Sequence, residues 1–302
     1  MAVVRRAVPM AAEVMYPASD PGAAAFRVVL ASGEQVRVVA TGDPDAPPVL
    51  MLHGWGCSAY TWRYLAGPIA AQGWRTLAID LRGHGLSDRP DDPALYTRDA
   101  MTAHLSATMD ALGVGSAPIV AHSMGGAVAM GLALSQPARV ERLALFGSVG
   151  FGIVNRAAWS QLLPPSITAT LLPSRIPRWA VKFALQHSRG ERGMSDEAEV
   201  DEYWAPTQWP DFLNAMRLLL HQFNWAPWTP TELAALYHPL LLMFGDRDPV
   251  VRPQPVVPTL ARCLPSASLQ VAQGAGHVVP EERPAWALER VLPFLGRPGD
   301  AR

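Results

Sequence analysis

At 302 residues the chain suits one large domain, or one domain carrying an insertion, with ample core. Its formal net charge of −1 argues against nucleic acid or an anionic membrane as partner. Charged residues make up only 17% and apolar residues 49%, which points to apolar surface beyond an ordinary core, as in a covered pocket.

Two cysteines, Cys57 and Cys263, provide neither a disulfide framework nor metal-ligand spacing. No apolar run reaches the ~18 residues of a membrane span. Arg5-Arg6 hints at a twin-arginine leader, but Pro9, Glu13, Pro17 and Asp20 break any apolar stretch behind it. The expected location is therefore cytoplasmic.

In chain order, residues 1–25 are Ala/Pro-rich and aperiodic, which predicts a loosely held arm. Phe26 to Val39 predicts a hairpin turning at Ala31-Ser-Gly-Glu34. Strands then alternate with helices: strand 48–53, helix 60–72, strand 75–80, helix 98–112, strand 118–122, helix 124–136 and strand 140–146. The rhythm stops over 150–237 and resumes with strand 240–245, a helix near 253–263, strand 268–272 and a final helix over 282–295. Such alternation predicts an α/β fold, a mostly parallel doubly wound sheet covered by helices. Residues 1–149 and 238–302 make the core domain. Residues 150–237 are broken by prolines, with helical pieces at 178–187, 195–203 and 211–224, the second opening at Ser195. Trp159, Trp179, Trp204, Trp209, Trp225 and Trp228 fall here, six of the ten tryptophans. This segment is expected to form a helical cap over the strand ends, with at least one tryptophan on the pocket.

Four strand-ending turns carry the chemistry. In Pro118-Ile-Val-Ala-His-Ser-Met-Gly-Gly126 an apolar strand meets a helix at Ser123. A serine there can sit on a strained turn with its hydroxyl clear of the backbone, a nucleophile elbow. The G-x-S-x-G spelling is imperfect, because Ala121 stands in the first glycine position, and alone the motif weighs no more than an ordinary helix-opening serine. In Pro48-Val-Leu-Met-Leu-His-Gly-Trp-Gly56 a second strand ends in a glycine turn. Acyl transfer needs two N–H donors aimed at the developing oxyanion. Met124, after the serine, and Trp55, in this second turn, are the candidates. Leu240 to Val250 runs from a strand into Asp246 and Asp248, and Gly274-Ala-Gly-His-Val-Val-Pro280 is a glycine-loosened loop. Serine is a weak nucleophile unless a histidine takes its proton and a carboxylate orients that histidine. Of the eight histidines, only His277 follows a strand late enough to serve. His53 and His84 sit in glycine turns, His122 should point away from the serine, His238 lies at a strand start, and His104, His187 and His221 fall on predicted helices.

With these motifs in the order Ser, Asp, His, the chain resembles the α/β-hydrolase superfamily, its serine esterases, lipases and C–C hydrolases above all. Asp80-Leu-Arg-Gly-His-Gly-Leu-Ser-Asp88 and Trp62-Arg63 are also family-like, and the resemblance runs from about residue 26 to 296. It favours Asp248 over Asp246 as the acid. It implies a hydrolase cleaving carboxylic esters with an apolar part through Ser123, His277 and Asp248, with Trp55 and Met124 as oxyanion donors. It implies no cofactor and no metal, and a small apolar ester or acyl compound as substrate. Serine at the elbow disfavours the aspartate-nucleophile epoxide hydrolases and dehalogenases. Alternatives are a thioesterase, acyltransferase or C–C bond hydrolase using the same triad, and a non-catalytic ligand-binding protein on this scaffold. Oligomeric state is not legible.

Overall fold

The computed structural model describes residues 10–151, 176–190, 196–251, 264 and 267–298. Its centre follows from the apolar runs. β3 (Pro48–Leu52), β5 (Ala117–His122), β6 (Val140–Phe146) and β7 (Leu240–Gly245) are almost wholly buried. Successive strand side chains point to opposite faces, so a run without polar breaks must be covered on both sides. Leu50, Leu52, Ile119, Ala121, Leu143, Leu145, Leu242 and Phe244 enter one core. Val49, Met51, Val120, Ala144, Phe146, Leu241 and Met243 enter the other. The first core takes Met101, Leu105 and Met109 of α2 (Arg98–Ala111) and Val128 and Leu132 of α3 (Met124–Ser135). The second takes Ala66 and Ile69 of α1 (Ala66–Ala70) and Ala287, Val291 and Leu295 of α9 (Pro284–Leu295).

The sheet has eight strands in the order β1-β2-β4-β3-β5-β6-β7-β8, with β1 (Ala23–Val29), β2 (Gln35–Thr41), β4 (Arg75–Ile79) and β8 (Ser268–Ala272) completing it. β1 and β2, and β2 and β4, pair antiparallel; all other pairs are parallel. The chain leaves β3 toward β4, then returns to lay β5 on β3's other side. Strand order reverses at this point, and in open α/β sheets ligands bind beyond the carboxyl ends of the strands there. The loop after β3 and the turn after β5 both open onto it.

Between β6 and β7 stand α4 (Arg178–Ser188), α5 (Glu197–Trp204), α6 (Pro210–Gln222) and α7 (Pro230–Ala234). α6 buries Phe212, Ala215, Met216, Leu218 and Leu219, the one-sided stripe of a packed helix. The segment touches the core closely. Trp228 N–H donates to Gly150 O at 2.7 Å, and the Arg98 guanidinium lies over the Trp228 ring at 3.6 Å.

Some local expectations are revised. The helix predicted over 60–72 is a 3-10 turn, Ala59–Trp62, and then the short α1. Pro68 lacks an N–H and its ring opposes a preceding helical turn, so it is accommodated only near a helix start. The last predicted helix, 282–295, begins at Pro284 as α9, and a separate turn, α8 (Val279–Glu282), precedes it; Arg283 between them, the residue before Pro284, leaves helical backbone at φ −135° and ψ 55°. α5 is capped by Asp196, whose carboxylate accepts from Ala198 N–H at 3.3 Å. The arm is held at Tyr16, which is buried and whose N–H donates to Glu202 of α5 at 2.8 Å. β1 begins at Ala23, inside the predicted arm. Trp159, Ser195 and the helix near 253–263 lie outside the described residues.

Candidate active site

Ser123 joins β5 to α3 at φ 53° and ψ −118°, and among the described residues no other non-glycine residue has positive φ. Such backbone costs about 1–3 kcal/mol and persists only where its surroundings over-determine it. Here they do: Ser123 N–H donates to Phe146 O at 2.9 Å, and its carbonyl accepts from Gly126 N–H at 3.0 Å and Val149 N–H at 3.1 Å. The geometry turns the side chain out of the strand line toward the loop after β8.

That loop brings His277. Its Nε2 lies 2.9 Å from Ser123 Oγ and its Nδ1 2.8 Å from Asp248 Oδ2. Nδ1 faces a carboxylate and so carries the proton, leaving Nε2 to accept from the serine hydroxyl. Asp248 is fixed in turn. Its Oδ1 accepts from Val250 N–H at 2.7 Å and Val251 N–H at 2.9 Å. All three side chains are buried. Asp246, the competing acid, is exposed and accepts from Gly274 N–H at 2.6 Å.

The loop after β3 passes directly over the elbow. A Cβ on Gly54 would come within 2.9 Å of both Ser123 Cβ and His122 Nδ1, so glycine is required there. Trp55 follows Gly54 and Met124 follows Ser123. Met124 opens α3, so its amide has no carbonyl one turn back within the helix and lies at the positive end of the helix dipole. The Trp55 indole N–H donates to Met216 O of α6 at 3.3 Å.

The other histidines have structural partners. His53 Nε2 accepts from Leu81 N–H at 3.0 Å, and its ring packs edge-on to His84 at 4.9 Å. The His122 ring packs against His277, 4.7 Å between centroids, and its Nε2 donates to the His277 carbonyl at 3.0 Å. Burial lowers the pKa of His53, His84 and His122, keeping the rings neutral. Asp80 is a hub, accepting from Ala59 N–H, Leu86 N–H and Arg37. Desolvation pushes the Cys57 thiol up to about 12, so it does not compete as a thiolate nucleophile. Among the described residues no three His, Cys, Asp or Glu side chains gather as metal ligands. An open cavity of about 470 Å³ lies by the β1–β2 hairpin, lined by Met15, Phe26 and Arg37 among others, and shares no residue with this site.

A buried charge cluster beside the site has no counterpart in the sequence reading. Arg63 contacts Glu199 of α5 at 2.8 Å and Glu281 of α8 at 3.3 Å. Arg189, just past α4, contacts the same two carboxylates, and the Tyr203 hydroxyl bonds Glu281. Burial lifts Glu281 to about 7, against the pull of Arg63. Of the cluster's members only Arg63, in the family-like Trp62-Arg63 pair, carries a sequence signal; Glu281 lies four residues after His277, while Arg189 and Glu199 lie far from both in the chain.

A family model described as the α/β hydrolase fold matches residues 47–284, and the chain belongs to that family. It is 26% identical over 264 residues to carboxylesterase YbfK of Bacillus subtilis (strain 168), covering 86% of this chain and 84% of that one. It is 30% identical over 261 residues to a 2-hydroxymuconate semialdehyde hydrolase of Pseudomonas putida, covering 83% and 87%. The crystal structure of carboxylesterase CesB (YbfK) from Bacillus subtilis superposes with a TM-score of 0.78 at 23% identity over 94% of both chains.

Proposed function

We propose that the chain is a serine hydrolase that cleaves carboxylic esters with an apolar part. The observation that carries this is the unbroken line Asp248–His277–Ser123, with contacts of 2.8 and 2.9 Å ending on a strained serine. Ser123 Oγ attacks the ester carbonyl as His277 Nε2 takes the hydroxyl proton. Asp248 holds the imidazole in the required tautomer and stabilises the imidazolium. The amides of Trp55 and Met124 stabilise the oxyanion. His277 returns the proton to the leaving alcohol, forming an acyl-serine. Water, deprotonated by the same imidazole, then releases the acid. The carboxylesterase relative supports the ester as substrate class.

Residues 150–237 act as a helical cap in this proposal. Support comes from the Trp55–Met216 contact, which sets α6 beside the oxyanion loop, and from Gly83, where an added Cβ would sit 3.2 Å from Ala215 Cβ. The proposal keeps the enzyme in the cytoplasm, to be read by cell fractionation; no helix among the described residues is long and apolar enough to cross a membrane.

A second reading, a C–C bond hydrolase on the same triad, is favoured by the 2-hydroxymuconate semialdehyde hydrolase relative. The His53-Gly-Trp-Gly turn lacks the extra small and polar residues often found there in that group. One experiment separates the readings: p-nitrophenyl esters and a ring-cleavage keto acid, each offered to wild type, Ser123→Ala and His277→Ala. Ester turnover lost by about three or more orders of magnitude in either variant, with little added by combining them, supports the esterase, because triad members act as a unit. Retention of most ester hydrolysis in Ser123→Ala rejects the mechanism. Preference for the keto acid selects the C–C reading, and binding without turnover of either selects a ligand-binding protein.

A further inference from the structure

The triad reading makes His277 the moving part of the chemistry, yet its loop follows β8 at the edge of the sheet, where no strand among the described residues supports it on the far side. Its backbone is nevertheless held from several directions. His277 N–H donates to Ser188 O, the last residue of α4, at 2.7 Å. Its carbonyl accepts from His122 Nε2. The amides on either side of it, those of Gly276 and Val278, converge on one carboxylate, Glu282. Oε1 accepts from Gly276 at 3.1 Å and from Val278 at 3.1 Å, while Oε2 accepts from Gly276 at 2.9 Å and from Gly190 at 2.8 Å.

We propose that Glu282 is a positioning residue for His277: its buried carboxylate clamps the two amides flanking the histidine and ties them to the strap Ser188-Arg189-Gly190 that leaves α4. The proposal rests on the triad reading for its catalytic consequence and on the hydrogen bonds alone for its structural one.

Four features argue that the clamp sets geometry. The carboxylate is buried, and every partner described for it is a backbone N–H. A carboxylate offers two acceptor oxygens and no donor; a glutamine of the same shape must turn an NH2 toward at least one of these amides. The contact with the strap is close enough to demand glycine on both sides. A Cβ on Gly276 would lie 2.4 Å from Ser188 O, and a Cβ on Gly190 would lie 2.2 Å from Gly274 O and 2.8 Å from Gly276 N. These neighbours are backbone, so they cannot swing aside. The strap is itself pinned next door, since Arg189 pairs with Glu199 and with Glu281, the residue before the clamp. The segment between β6 and β7 thus reaches the catalytic histidine through main chain.

Misplacing a reacting group by about 1 Å costs on the order of 100-fold in rate. For Glu282→Gln we expect kcat on a p-nitrophenyl ester to fall by about that factor, with KM little changed. We expect the same direction for Gly190→Ala, which pushes the strap off the loop and leaves the carboxylate in place. The readout that a merely structural role would not move is the far-downfield proton resonance of His277 Nδ1–H, which reports its bond to Asp248. It should broaden or vanish in both variants while near-ultraviolet circular dichroism stays native. A folded Glu282→Gln with wild-type kcat and an unaltered resonance overturns the clamp. If Glu282→Gln does not fold, Gly190→Ala decides by the same two criteria. Ser123→Ala, run alongside, keeps the tests apart: if it retains hydrolysis, the triad reading fails, and the resonance alone then upholds or rejects the clamp.

Discussion

Asp248→Asn tests the chemistry with almost no change of shape. Three donors converge on this carboxylate: His277 Nδ1–H on Oδ2 and the amides of Val250 and Val251 on Oδ1. Asparagine keeps one acceptor oxygen and substitutes an NH2 for the other. If its NH2 replaces Oδ1, two buried amides lose their acceptor, at about 1–3 kcal/mol each. If its NH2 replaces Oδ2, only the histidine is affected. Its Nδ1 must then become the acceptor, and the proton moves to Nε2. The second arrangement orphans no amide, so it is the one expected to be populated. It leaves a protonated Nε2 facing Ser123 Oγ at 2.9 Å, unable to take the hydroxyl proton. The expected loss in kcat is on the order of 10⁴-fold, or about 5.5 kcal/mol of transition-state stabilisation. Asp246→Asn is the matched control. Asp246 is exposed and serves one amide, Gly274, which an asparagine oxygen can also serve, so kcat should stay near wild type. The assay is the initial rate on a p-nitrophenyl ester, with thermal unfolding followed in parallel to show that both variants fold. An inactive Asp246→Asn beside a near-normal Asp248→Asn would refute the assignment of the acid.

Gly125→Ala should lower both stability, by about 1–3 kcal/mol for an overpacked site, and kcat, by about 10²-fold, as one oxyanion donor moves; a variant matching wild type in unfolding midpoint and kcat contradicts the packing of this turn. The added Cβ would meet His53 O at 2.5 Å and Leu52 O at 2.6 Å, main chain where β3 ends and the loop after it begins. Glu281, held at about 7 by burial, binds its proton more tightly folded than unfolded, so its contribution to stability is full below about pH 4.5 and is lost as pH rises through about 7. The unfolding free energy of wild type minus that of Glu281→Gln should therefore fall between about pH 4.5 and 8; a flat or rising difference rejects it. If the proposed cap closes an apolar pocket, kcat/KM should rise about fourfold per methylene from acetate to hexanoate esters until the pocket is full, at about 0.8 kcal/mol per buried CH₂; a flat or falling series favours a cap that packs only on itself.

What the sequence made legible has a physical pattern. β6, β7 and β8 span the residues expected of them, and the remaining parallel strands differ by one residue at an end. Interior strands such as β5 and β7 show in composition because both faces are buried; β8, at the sheet edge, is only partly buried and shows more weakly. Ser123, Asp248 and His277 each follow a strand, and the structure brings their side chains together. Elements set by contacts far along the chain were less legible. Residues 10–22 lack periodicity, yet Tyr16 is buried through Glu202 and Arg37, partners at positions no local window includes. Arg63, Glu199, Glu281 and Arg189 form one cluster from four places in the chain, and no spacing between them encodes it.

Glycine shows where reading by pattern succeeds and where it misleads. The elbow's spelling is imperfect at Ala121, but that methyl enters the core from β5, in register with Leu52 and Leu145, where a small apolar side chain fits. The indispensable glycine is Gly125, pressed on the carbonyls of Leu52 and His53. The His277 loop reverses the lesson. Its two glycines suggested looseness. Gly274 does adopt a left-handed φ of 71°, but Gly276 is small because backbone crowds it. A Cβ on Gly245 would fall 2.1 Å from Gly276 O, and one on Gly276 would fall 2.4 Å from Ser188 O. Three main-chain segments, from the end of β7, the end of α4 and the histidine loop, are stacked at distances only glycine permits. Close backbone packing of this kind restricts motion. A loop that must present one imidazole nitrogen to Ser123 and the other to Asp248 is thereby held by its glycines, and a spare methyl at Gly190, Gly245 or Gly276 would displace the same ring.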